Sequence, residues 1–133
     1  MQYIIMFIIV VGLSLSDILT GWIKAHILNK YRSSIIRMGL YRKFAEWLIM
    51  GVAIGLEFGL SLLGSYYHAE EIAGFAGAFA AVSIFLYITV METVSILENF
   101  GEITPNAAWI KPILKKLDKF SGKEDKDDSE KKE

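Results

Sequence analysis

Three blocks of apolar residues, parted by polar and charged segments, organise this chain. The first opens with Tyr3-Ile4-Ile5-Met6-Phe7-Ile8-Ile9-Val10-Val11 and covers about 3–28, the second covers about 44–66 and the third about 71–98. A helix needs about 20 predominantly apolar residues to cross the hydrocarbon core of a bilayer, and each block is long enough. The pattern predicts an all-α integral membrane protein with three transmembrane helices in a domain spanning 1–100. A signal peptide is the rival reading of the first block. It is the weaker one, because no positive segment precedes Tyr3 and no Ala-x-Ala-like cleavage site follows the run.

After the third block, Gly101 and Pro105 are expected to break the helix. Beyond them Ile110, Ile113, Leu114, Leu117 and Phe120 recur at helical spacing, with Lys111, Lys115, Lys116 and Lys119 interspersed and Trp109 near the start. Residues 101–120 therefore read as a short amphipathic helix on the inner membrane surface, with a docked cytoplasmic helix as the alternative. Residues 121–133 contain no apolar side chain and are expected to be a disordered charged tail.

Charge adds direction to this picture. The formal net charge of −1 says little, because opposite charges are segregated. Lys24, Lys30, Arg32, Arg37, Arg42 and Lys43 crowd into a basic loop between the first two blocks, and every other Lys or Arg lies after Asn106. The turn from Gly64 to Glu71 has no cation. Basic segments stay on the cytoplasmic side, so the N-terminus is expected outside and the C-terminus inside, in the cytoplasmic membrane. Tyr66 and Tyr67 suit the outer interface, and His68 beside two acids reads as solvated surface rather than a metal ligand. Nucleic acid is not an expected partner, since the basic loop is flanked by membrane spans and the tail mixes lysines with acids.

Small residues recur every fourth position in all three blocks: Gly12, Ser16 and Thr20, then Gly51, Gly55 and Gly59, then Ala73, Gly77 and Ala81. Such ridges let helix backbones approach closely in lipid, which predicts helix packing and a homo-oligomer. On the opposite side of the second helix Glu46, Glu57 and Ser61 gather into a polar face. Glu57 is expected near the middle of the span, where a carboxylate costs about 3 kcal/mol. Two readings stay open for it: a protonated group hydrogen-bonded inside a bundle, or part of a polar face lining an aqueous lesion. Asp17, Glu92 and Glu98 are expected at the cytoplasmic boundary, paired with cations such as Arg37, Arg42 and Lys43.

No catalytic constellation emerges. There is no Gly-rich phosphate loop, no His-Glu-x-x-His and no Ser–His pair in a plausible context, so neither enzyme activity nor a cofactor or metal is expected. The absence of cysteine removes disulfides and Cys-based metal sites. A secondary transporter would show internal repeats and broken helices, and three short spans offer neither.

Three segments together resemble the toxin-secretion/phage-lysis holin family: Asp17-Ile18-Leu19-Thr20-Gly21 closing the first span, Ser33-Ser34 followed by Gly39-Leu40-Tyr41-Arg42-Lys43 in the loop, and Glu92-Thr93-Val94-Ser95-Ile96-Leu97-Glu98-Asn99 closing the third. The resemblance covers roughly 10–120 in matching order. It implies a phage-encoded protein that accumulates in the host cytoplasmic membrane, assembles, and opens lesions through which a cell-wall hydrolase (endolysin) or a toxin leaves. A non-conducting scaffold or antiholin-type regulator of lysis is the alternative function.

Overall fold

The computed structural model describes residues 2–29, 33–104, 106–107 and 109–121, excluding the side chains of 33–36 and 117–121. Four helices follow in order: α1 (Gln2–Ile27), α2 (Ser33–Tyr67), α3 (Glu70–Ile103) and α4 (Ile110–Ser121). There is no strand among the described residues. α1, α2 and α3 are each long and apolar enough to cross a membrane, as the hydropathy pattern predicts. From residue 122 onward the expected disordered tail lies outside the described residues, as do Pro105 and the Lys30–Arg32 part of the expected loop.

The helices overrun the apolar blocks. α2 starts at Ser33, so the stretch from Arg37 to Lys43 is helical where a loop was expected. Membrane crossing needs apolarity, but helix formation needs only backbone pairing and tolerant side chains. Here charge pairs one turn apart reinforce it, with Arg42 Nε 3.5 Å from Glu46 Oε1 and Lys43 Nζ 3.7 Å from Glu46 Oε2. At 35 residues α2 is about 52 Å long, well beyond the roughly 30 Å hydrocarbon core. α3 likewise runs through Gly101 to Ile103. The expected break at Gly101 does not occur.

The turn between α2 and α3 shrinks to His68 and Ala69. His68 takes a left-handed conformation (φ 53°), and the Ala69 amide donates to the Gly64 carbonyl at 2.8 Å, closing α2 in a Schellman arrangement. Ala73 N–H then donates to the Ala69 carbonyl at 3.1 Å, starting α3. Gly64 is required at this corner: a Cβ there would stand 2.6 Å from Ala73 Cβ and 3.2 Å from Glu70 Cα. Glu70 and Glu71 occupy the first turn of α3, where the helix dipole favours negative charge.

The chain forms two compact units. The first comprises Met1–Leu15 and Arg32–Val90. Its core is Val10, Met50 and Ile88, one residue from each long helix, with Met6, Trp47, Ile54, Ile84 and Phe85 packed around it. The second comprises Ser16–Tyr31 and Met91–Glu133, bringing together the end of α1, the end of α3 and α4. Large apolar side chains face outward throughout the first unit, with Leu62, Ile72 and Phe75 about three-quarters exposed. Water would not tolerate so continuous an apolar exterior, whereas lipid covers it without penalty.

Candidate functional site

Within the first unit the two small-residue ridges of α2 and α3 have different fates. The α3 ridge is consumed by the α2–α3 contact. Ala81 is fully buried, and Gly77 lies so close to α2 that a Cβ would come within 2.8 Å of Glu57 Cα. Ala73 fills the space beside Gly64. On α2, Gly51, Gly55 and Gly59 have nothing within 4 Å of the position a Cβ would take. Their backbone forms a bare strip flanked by the exposed side chains of Leu48, Val52 and Leu56. Gly12 on α1 is equally open and Ser16 is exposed, while Thr20 turns inward.

The polar residues of α2 are spread over unlike surroundings. Glu57 is half-buried, its backbone pressed against Gly77 and its carboxylate accepting a hydrogen bond from the Tyr3 hydroxyl. Tyr3 stands in the first turn of α1, and Glu57 lies ten residues, about 15 Å, before the end of α2 at Tyr67. Tyr3 also packs against Phe58, with ring centroids 6.1 Å apart. Glu46 is half-buried and takes Arg42 and Lys43 as partners; Lys43 is itself 3% exposed, whereas Arg37 and Arg42 are exposed. Ser61 is exposed.

In the second unit a polar cluster joins α1 to α3. Asn99, 8% exposed, donates from Nδ2 to Asp17 Oδ1 at 3.0 Å and to Thr20 Oγ1 at 3.3 Å. Gly21 lies beside this amide, and a Cβ there would meet its nitrogen at 3.5 Å, an ordinary van der Waals contact. Thr20 donates in turn to the Asp17 carbonyl. One turn on, Lys24 Nζ meets Glu102 Oε1 at 3.1 Å. Glu92 is buried at 1% exposure and Glu98 half-buried, both engaged in interactions. The amide of Asn99, which the sequence shows only as the last residue of a motif, is thus the hub. Asp17 and Asn99 stand at the ends of two of the quoted motifs, but only the fold shows that they meet.

α4 belongs to this unit too. Ile110 is buried, and its Cγ2 together with Leu114 Cδ1 covers Gly101 at 3.6 and 3.7 Å from the Cβ position. Phe100 and Trp109 face one another with ring centroids 6.4 Å apart. A helix predicted from lysine-interleaved apolar spacing is therefore held by part of that apolar face against the end of α3.

These features define a class: a multi-pass helical membrane protein whose buried polar groups join helix to helix and whose outward surface is apolar. The model of the Bacteriophage holin family matches residues 2–119, and the chain belongs to that family. No curated protein and no solved structure matches it.

Proposed function

We propose that the chain works as a holin. It assembles laterally in the host cytoplasmic membrane, through the bare glycine strip of α2, and opens lesions through which a cell-wall hydrolase reaches its substrate. The N-terminus lies outside and the C-terminus in the cytoplasm, following the cation distribution. The observation that carries this reading is the contrast between ridges: Gly77 and Ala81 are used up within the protomer, whereas Gly51, Gly55 and Gly59 face open space. In lipid, where helices associate by packing, an unused close-approach strip supports contact with a second copy. Direct contact with the hydrolase is not required, because the lesion alone gives passage.

Induced expression in a bacterium should stop growth after a lag and collapse the membrane potential. Co-expression of a cell-wall hydrolase lacking a secretion signal should then lyse the culture. Gly55→Leu, which places a bulky side chain on the strip without touching the protomer's own contacts, should reduce crosslinked oligomers and delay or abolish lysis. High levels of inserted protein with an intact potential and no hydrolase release would instead identify a non-conducting scaffold or antiholin-type regulator.

A further inference from the structure

The apolar face of α4 is only partly used by the protein. Ile110 and Leu114, about 40° apart around the helix, cover Gly101. Ile113 lies about 60° to the other side of Ile110 and is 39% exposed. Continuing round that same flank come exposed Lys116 and Pro112, and Trp109, just before the helix, is 59% exposed. On the opposite flank Lys111 lines a groove together with Glu98 and Glu102. One edge of α4 is thus seated on α3, one carries a cation that lines a groove with two carboxylates, and the third combines an aromatic, an aliphatic and a lysine with no carboxylate on α4 between Ile110 and Lys116.

We infer that this third edge binds an anionic phospholipid surface, Trp109 and Ile113 entering the boundary between headgroups and acyl chains while Lys116 engages the headgroup phosphates. The occupant follows from position and charge. α3 is long and apolar enough to cross a membrane and α4 is fastened to its end, so the nearest surface is the bilayer itself. An interfacial indole beside a long-stemmed cation is the side-chain pairing such a surface takes. α4 then acts as a bracket, one edge on protein and one on lipid, fixing the angle at which α3 leaves the membrane. The inference rests on the membrane placement of α3 and not on lesion formation, so the two fail separately.

The test uses the full chain with Trp22→Phe and Trp47→Phe, leaving Trp109 as the reporter. It is reconstituted into phosphatidylcholine vesicles with and without phosphatidylglycerol in both leaflets, so the direction of insertion does not matter. Quenching of Trp109 by phosphatidylcholine brominated near the headgroup should rise when phosphatidylglycerol is present and fall again in high salt. Lys116→Gln should weaken the lipid-engaged population about fivefold, whereas Lys111→Gln and Lys115→Gln, on the opposite flank, should have smaller effects. With the natural sequence, a membrane-permeant amine reagent should modify Lys116 less than Lys111 in anionic vesicles. Equal quenching in the two lipid mixtures, or equal sensitivity to all three lysines, would overturn the inference.

Discussion

Gly77→Ala should unsettle the protomer, while the chemically identical change Gly55→Ala should not. At Gly77 the new methyl would stand 2.8 Å from Glu57 Cα, 3.1 Å from its Cγ and 3.3 Å from its Cβ. Carbon pairs rest at about 3.5–4.0 Å, so α2 and α3 must part by roughly 1 Å along a stretch that includes backbone and cannot be relieved by a rotamer change. Overpacking of this kind costs about 1–3 kcal/mol. The helix gains about 0.5–1 kcal/mol from replacing glycine, leaving a net loss of up to about 2.5 kcal/mol. At Gly55 the methyl meets nothing within 4 Å, so only the gain remains. The measurement is unfolding by titrated denaturing detergent in mixed micelles dilute enough to hold one chain each. Trp47, packed beside the Val10–Met50–Ile88 core, is the reporter, with Trp22 and Trp109 replaced by Phe. The midpoint should fall for Gly77→Ala and hold or rise for Gly55→Ala. Equal midpoints for the two variants would refute the assignment of one ridge to the protomer's interior and the other to its exterior.

Gly64→Val should destabilise the hairpin by about 1–3 kcal/mol in the same assay, because Ala73 Cβ stands 2.6 Å from the added Cβ. His68→Gly, by contrast, should be neutral or stabilising, since it relieves a side chain held at φ 53°. Asn99→Leu removes the donor to Asp17 and Thr20 and should cost about 1–3 kcal/mol, read as a lower midpoint and as faster proteolysis around α1's end. Glu57→Gln retains a hydrogen-bonding partner for Tyr3 and should preserve the midpoint; normal crosslinking with lost or retimed lysis would then assign the ionisable group to lesion opening. A reporter active only in the cytoplasm should work when fused after Glu133 and stay silent at Tyr67, and the reverse result would invert the topology.

Hydropathy made the three spans legible because bilayer thickness imposes a length that no other constraint mimics. It could not locate helix ends, since Arg37, Arg42 and Gly101 are as helical as the apolar residues beside them. The site was legible as chemistry but not as geometry. Gly51-x-x-x-Gly55-x-x-x-Gly59 and Ala73-x-x-x-Gly77-x-x-x-Ala81 look alike on paper, and which ridge is spent within the protomer depends on the α2–α3 register. That register is set by the two-residue turn and the Gly64 corner, a tertiary fact. Tyr3 was read only as the start of an apolar run, and its bond to Glu57 depends on where α1 begins relative to a residue more than fifty positions away. Asn99 was visible only as a polar residue closing the third motif, just past the third apolar block, a signal that does not name its partner.

The corner at Gly64, His68 and Ala69 also has a mechanical consequence. With Ala73 seated in the space beside Gly64 and only two residues joining the helices, α2 and α3 cannot slide or separate at that end without breaking the Ala69–Gly64 hydrogen bond. Any relative movement of the pair must pivot there, like shears about a rivet, with displacement growing along the helices. A change too small to detect at Ala73 becomes wider at Ala81 and wider again at Ile88, where α3 meets Met50 and Val10. Labels placed at successive turns of α2 and α3 should therefore report a distance change that increases steadily away from the corner.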